Sequence, residues 1–221
     1  MWPTRSKVSK SKAPSFGFWR GVAVGLGLAL SLLLPRALHS EGADPAAANV
    51  SSLYSALLET MKQAKQLGLK GRYDKLAPVL AKSYDLPLMS RIAVGPSWDG
   101  LSAPQRQSIV NAFTRMTTAT YASRFDGFSG ETLEVEQTVD QPNGDKVVKT
   151  RIVQSDGKIV ALNYLVRNTG NGWRVIDVYL NGTISELASR RAEFGAILKS
   201  GGPDALVASL NKQGDKLLKG S

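Results

Sequence analysis

The 221-residue chain has no cysteine and one histidine, His39. Without thiols there is no disulfide, no thiolate metal site and no cysteine nucleophile. The hydrophobic core alone must therefore hold the fold. His39 lies at the end of an N-terminal leader, so the rest of the chain carries no Ser–His or Cys–His pair and no imidazole metal ligand. Long apolar runs are also missing. The longest, Gly21 to Leu34, is ended by Pro35 and falls short of the roughly 20 residues that a membrane-spanning helix needs. Basic residues are scattered singly, with no basic-aromatic cluster, which argues against nucleic acid as a partner.

What is present begins with that leader. Arg5, Lys7, Lys10, Lys12 and Arg20 precede the apolar run in the pattern of a secretory signal peptide. Ser40-Glu41-Gly42 offers small residues at the two required positions, placing cleavage near Gly42 or Ala43. No cysteine follows, which excludes a lipoprotein anchor; an uncleaved inner-membrane anchor is the competing reading. Residues 1–43 are thus a leader, and 44–221 form one domain. The whole chain has a formal charge of +10, but 44–221 carry 22 basic and 17 acidic residues, a net +5. Such a mild excess suits anionic lipid surfaces or acidic proteins.

Residues 44–50 read as a flexible entry. Leu53, Leu57, Leu58, Met61 and Ala64 recur at helical spacing up to Leu67-Gly68. A second helix is predicted from Gly71 to Ser83, kinked at Pro78. A third follows, capped by Asp85, with Pro87 in its first turn and Gly95 ending it. Ser102-Ala103-Pro104-Gln105 is a capping box opening a helix to about Phe125. The period then changes from helical to two. Strands are predicted at Thr132–Val139, Lys146–Ser155, Ile159–Arg167 and Gly172–Leu180. They are joined by Asn-Gly, Asp-Gly and Asn-Thr-Gly-Asn turns. Leu133, Val135, Val139, Val160, Leu162, Tyr164 and Val166 would share one face. The last strand breaks the alternation at Val175, Ile176 and Val178. Thr183-Ile184-Ser185-Glu186 is a second capping box, opening a helix that stops at Gly201-Gly202, and Pro203 starts a final helix. The expected fold class is α+β, a four-stranded curved antiparallel meander cupped by N- and C-terminal helices.

Groups able to do chemistry are few. Asp140, Asp145 and Asp156 sit in turns, and Glu134 and Glu136 share the outer face of the first strand, where solvation suffices. Gly68-Leu69-Lys70-Gly71 follows no strand and is a helix break, not a phosphate loop. Asp177, between Ile176 and Val178, is the acid to weigh. A buried carboxylate needs a partner, which Arg91, Arg124 or Arg174 could supply; the other reading faces it toward a ligand.

Gly71-Arg72-Tyr73, Asp85-Leu86-Pro87, Met89-Ser90-Arg91, Gly95-Pro96-Ser97-Trp98 and Thr120-Tyr121-Ala122-Ser123-Arg124-Phe125 resemble the MlaC family. So do Val178-Tyr179-Leu180-Asn181-Gly182 and the stretch from Arg191 to Leu198. These are periplasmic lipid-shuttle proteins, also called toluene-tolerance proteins; the resemblance is nearest to the HpnM branch found with hopanoid biosynthesis. It implies a twisted sheet cupped by helices in a nuclear-transport-factor-like shape. It also implies a soluble monomer that carries a phospholipid or hopanoid between membrane-bound complexes, without a cofactor or metal. The apolar faces support this, since they exceed what a small two-layer core requires. Each buried CH₂ contributes roughly 0.8 kcal/mol, so a two-chain lipid demands an enclosed pocket and not an open groove. Its expected lining is Leu57, Met61, Tyr73, Leu76, Leu80, Met89, Ile92, Trp98, Phe113, Met116, Tyr121, Leu133, Val135, Leu162, Tyr164 and Val175, with Arg91 and Arg124 at the mouth or in ion pairs. Two other classes remain open: an enzyme using Asp177 as general base, and a scaffold whose pocket is filled core.

Overall fold

A computed structural model describes residues 44–219; the leader lies outside them. Helix α1 spans Pro45–Lys62, so the segment expected as a flexible entry is its first turn. Asp44 explains this. One carboxylate oxygen accepts from the backbone N–H groups of Ala46 (2.9 Å) and Ala47 (3.2 Å). The other accepts from Lys146 Nζ at 2.5 Å, and Pro45 presets the first helical φ. Apolar spacing carries no trace of such a cap.

Helix α2 spans Ala64–Ser83 and is broken at Gly68 (φ 60°, ψ −178°). Pro78 stands on an exposed side with helical backbone around it, so the expected kink belongs to Gly68 instead. Helix α3, Leu86–Val94, follows expectation: Asp85 Oδ1 accepts from Leu88 N–H at 2.9 Å, and Gly95 ends it. A 3₁₀ turn, Gly95–Gly100, leads to α4, Ala103–Arg124. Its capping box is made in full. Ser102 N–H donates to Gln105 Oε1 (2.9 Å), and Gln105 N–H donates to Ser102 Oγ (3.4 Å).

Strands β1 (Thr132–Asp140), β2 (Lys146–Val153), β3 (Ile159–Asn168) and β4 (Trp173–Leu180) form the predicted meander. A fifth strand, β5 (Ile184–Ser185), pairs antiparallel with Tyr179 and Leu180. The sheet therefore has five strands in sequential order, not four. Two residues are too few to leave a period-two signal. Helix α5 runs from Glu186 to Leu218 and merges the two expected helices across a break at Gly202 (φ 70°, ψ −171°). Its cap is Ser185, which accepts from Ala188 N–H at 2.9 Å; Thr183, expected there, sits in the preceding turn.

Two bulges set which residues face the helices. In β4 the register slips at Ile176, so Val175 opposes Val166 while Asp177 opposes Leu165. This is the physical source of the broken alternation. In β1 the slip at Glu136 turns Val139 opposite Val147, onto the face away from Leu133 and Val135; the single face expected for all three is corrected. Turn acid Asp145 is also more than a solvated loop residue. It is 3% exposed and accepts from Arg167 at 2.7 and 2.6 Å. Glu134 and Glu136 share Arg151, at 2.7 and 3.2 Å.

Helix α1 packs along the sheet, whereas α4 packs on α2, α3 and α5 and stands off from the strands. Buried Arg72 ties α2 to the end of α4, donating from Nε to Ala122 C=O at 2.8 Å and from Nη1 to Ala64 C=O at 3.3 Å.

Gly68 and Gly202 share a backbone region that side chains avoid, with nothing within 4 Å of an added Cβ at either site. Gly68→Ala and Gly202→Ala should each destabilise by about 1–3 kcal/mol through backbone strain alone. Denaturant midpoints measure this, and unchanged midpoints would contradict the assigned break.

Candidate functional site

The gap between α4 and the sheet is a cavity of about 550 Å³. Small-molecule sites run from about 300 to 1,000 Å³. A filled core, as the scaffold reading requires, is not what these residues build.

The sheet face divides along its length. Val148, Val166 and Val175, near the start of α1 and the end of α2, are wholly buried. Toward the other end Ile152, Val160, Leu162 and Leu180 are half-buried and line the cavity. Phe113, Met116, Thr117, Thr120 and Tyr121 form the opposite wall along one stripe of α4, with Met61, Met89 and Leu187 closing the sides. Unbranched Met side chains adapt their packing to irregular space.

A layer of tyrosines separates the packed half from the open half. Tyr54 stands edge-on to Tyr164 at 5.8 Å, and Tyr84 to Tyr121 at 6.0 Å. The Thr150 hydroxyl lies against the Leu162 carbonyl, which can only accept. Thr150 must then donate there, so Tyr54 donates to Thr150, at 2.5 Å. Tyr84 and Tyr121 are joined hydroxyl to hydroxyl. Burial pushes the Tyr121 phenol up to about 12. Burial, with the neighbouring Tyr121, raises Tyr84 and Tyr164 well above the ordinary 10. All three are neutral at physiological pH.

The rim is polar. Arg124, Phe125, Asp126, Gly127 and Glu131 come from the end of α4 and its connection to β1; Gln154, Ser155 and Asp156 come from the β2–β3 hairpin. In the wall Arg190 pairs with Glu186 at 2.9 Å, with Nη1 at 3.6 Å from Met116 Sδ. Arg124 is exposed at the rim and takes no ion-pair partner among the described residues. No cluster of acids or histidine among the described residues could hold a metal ion.

Of the expected lining, Met61, Met89, Phe113, Met116, Tyr121, Leu162 and Tyr164 come together here. Leu57, Leu76, Leu80 and Val175 are fully buried in the packed core instead. Leu133 and Val135 pack on that core from β1, outside the cavity, because α1 covers them. Tyr73 is half-buried on α2 and also lies off the cavity. Ile92, Trp98 and Arg91 line a separate shallow groove, where Arg91 approaches Asp99 at 3.9 Å. Arg91 is therefore not at the mouth.

Asp177 makes none of the expected arginine pairs. Its carboxylate accepts from Ser185 Oγ (2.5 Å), Val178 N–H (2.7 Å) and Leu187 N–H (3.2 Å). It thus fastens β4 to the start of α5, and it does not line the cavity. Arg174 instead donates to Ala81 C=O at 3.0 Å and to Lys82 C=O at the end of α2. Sequence reasoning missed Tyr84, Thr117, Thr120, Ile152, Val160, Val178, Leu180 and Arg190. The threonines were findable, since they share helical spacing with Phe113, Met116 and Tyr121, but their polarity reads as outward.

Residues 51–212 match the family described as MlaC protein. The chain belongs to the MlaC family. Among solved structures, the MlaC-family chain is similar to a phospholipid-binding protein from Ralstonia solanacearum, determined in complex with a phospholipid. Identity is 24% and the TM-score 0.70, over 79% of this chain and 99% of that one. This likeness establishes a shared fold. No curated protein is significantly similar to the chain. No helix among the described residues is long and apolar enough to cross a membrane.

The tyrosine layer has an alkaline signature. Below the ordinary phenol value of about 10, these groups are protonated both folded and unfolded, and their contribution is whole. Above it the unfolded chain loses protons first, so stability falls as pH rises from about 10 through about 12. Tyr121→Phe should flatten part of that fall. Denaturant midpoints across this window test it; a midpoint independent of pH would contradict the burial of these phenols.

Proposed function

We propose that this MlaC-family protein is a lipid carrier that encloses the apolar part of its cargo between α4 and the sheet. The observation that carries the reading is the cavity itself, apolar along its walls and polar at its rim. A lipid would lay its chains against Leu162, Val160 and Met116 and leave its head near Arg124. Each methylene buried there is worth roughly 0.8 kcal/mol, so uptake from one membrane and delivery to another becomes a near-even exchange that needs no catalytic group. The phospholipid bound by the Ralstonia solanacearum protein supports a phospholipid as cargo. The resemblance to the HpnM branch supports a hopanoid as the alternative.

Family membership and the secretory pattern of residues 1–43 together support a soluble monomer in the periplasm, exchanging lipid with membrane-bound complexes. The helices cupping one face of a twisted sheet suit the nuclear-transport-factor-like shape. The enzyme reading loses its base, because Asp177 is bound up in capping α5.

Mass spectrometry of lipid extracted from purified protein tests the proposal. Wild type should release a phospholipid or hopanoid. Leu162→Trp and Val160→Trp, which fill the cavity from two positions on β3, should release little while remaining folded by circular dichroism. Recovery of only a water-soluble metabolite, with no lipid after incubation with vesicles, would sink it.

A further inference from the structure

Tyr84, Tyr121 and Tyr164 all border the floor of the cavity, and their hydroxyl protons can be counted. Each phenol donates one hydrogen bond, and a buried one ordinarily has a partner. Tyr84 and Tyr121 share a single bond, which uses one of their two protons. The other finds no acceptor among the described residues. Tyr54 spends its proton on Thr150, whose own goes to the Leu162 carbonyl. Tyr164 stands on β3 between Val148 and Val178, is 1% exposed, and its hydroxyl makes no hydrogen bond to a described residue. Among the described residues no side-chain polar atom sealed from open space lacks a partner, so this hydroxyl borders the cavity. Two donors thus stand at the inner end of an apolar enclosure. Phenylalanine would fill the same space without them.

We propose that Tyr164, with the spare proton of the Tyr84–Tyr121 pair, recognises a neutral oxygen on the buried end of the cargo. The inference rests on the carrier reading and narrows its cargo to a class: lipids whose apolar part carries a hydroxyl, ether or carbonyl. Leaving a buried donor unpaired costs more than a made hydrogen bond returns. A plain hydrocarbon end pressed on these phenols is therefore penalised where an oxygen is not. A site built around donors discriminates by that asymmetry. The oxygen must be uncharged. A carboxylate or phosphate at the floor would be buried without a counter-charge, since Arg190 is paired with Glu186 at 2.9 Å and Arg124 stands at the rim. The charged head stays outside, and the second polar group goes in.

Stearoyl lysophosphatidylcholine is compared with the same lipid bearing one hydroxyl, mid-chain or on the terminal carbon, by displacement of a fluorescent lipid from purified protein. Wild type should bind at least one hydroxylated form about tenfold more tightly than the plain one, the worth of one to two hydrogen bonds. Tyr164→Phe should bring the two to about parity. The same variant, lipid-free, should keep or raise its denaturant midpoint, because it loses an unpaired hydroxyl. If it unfolds earlier, that hydroxyl is bonded inside the protein and the site is wrong. The site is also wrong if wild type binds the plain chain as tightly as every hydroxylated form, or if the preference survives Tyr164→Phe. The carrier reading stands in each of these cases. If neither probe nor any vesicle lipid is held, the carrier reading falls and this inference falls with it.

Discussion

The hydroxyl-to-hydroxyl bond between Tyr84 and Tyr121 sets how far α4 stands from the sheet. Tyr84 is fastened to the sheet by its backbone, bridging to Val175, with Asp85 N–H donating to Val175 C=O at 2.9 Å. Tyr121 is fastened to α4. Together they act as a strut, and the walls beyond it cannot close to bury their apolar surface on each other. Burial keeps the phenols neutral, so the strut adds no charge to an apolar enclosure.

Other contacts hold α4 from outside. Arg72 grips its last turn from α2. Arg115 reaches across to α5, donating to Asp215 at 2.6 Å and to Asn211 C=O at 3.2 Å. Gly214 lets α5 come close at that point, since a Cβ there would meet the Arg115 guanidinium at 2.8 Å. A helix clamped on three sides by helices and propped on the fourth leaves a void that its own side chains do not fill. The enclosure is thus a product of rigidity around it. Its chemistry is correspondingly spare: one ion pair in the wall, phenols at the floor and a mixed rim.

Caps, turns and periods made most of this fold legible in the sequence. Asp85 and Ser102 announce α3 and α4, and the Asn-Gly and Asp-Gly turns place the strands. What stayed hidden depends on long-range geometry. The bulges at Glu136 and Ile176 reassign faces, and no local pattern reveals a slip in pairing. Asp44 caps α1 locally through Ala46 and Ala47, but its tie to Lys146, about a hundred positions away, was out of reach of any local pattern. In the site, apolar character could not separate Leu57 and Leu80, which are packed, from Met116 and Leu162, which border space. Both kinds obey the same spacing; only the stand-off of α4 tells them apart. Arg124, expected at the mouth or in an ion pair, stands at the end of that stripe on the cavity rim, while Arg91 was carried away by the turn of α3.

The central claim is that cargo lies between α4 and β3–β4. Its most direct test is photo-cross-linking of the protein loaded with a phospholipid bearing a photoreactive group deep in one chain. Cross-linked peptides should contain Met116 to Tyr121 on one side and Val160 to Tyr164 or Val178 to Leu180 on the other. Cross-links confined to the shallow groove around Ile92, Trp98 and Arg191, or spread over the outer face of the sheet, would contradict it.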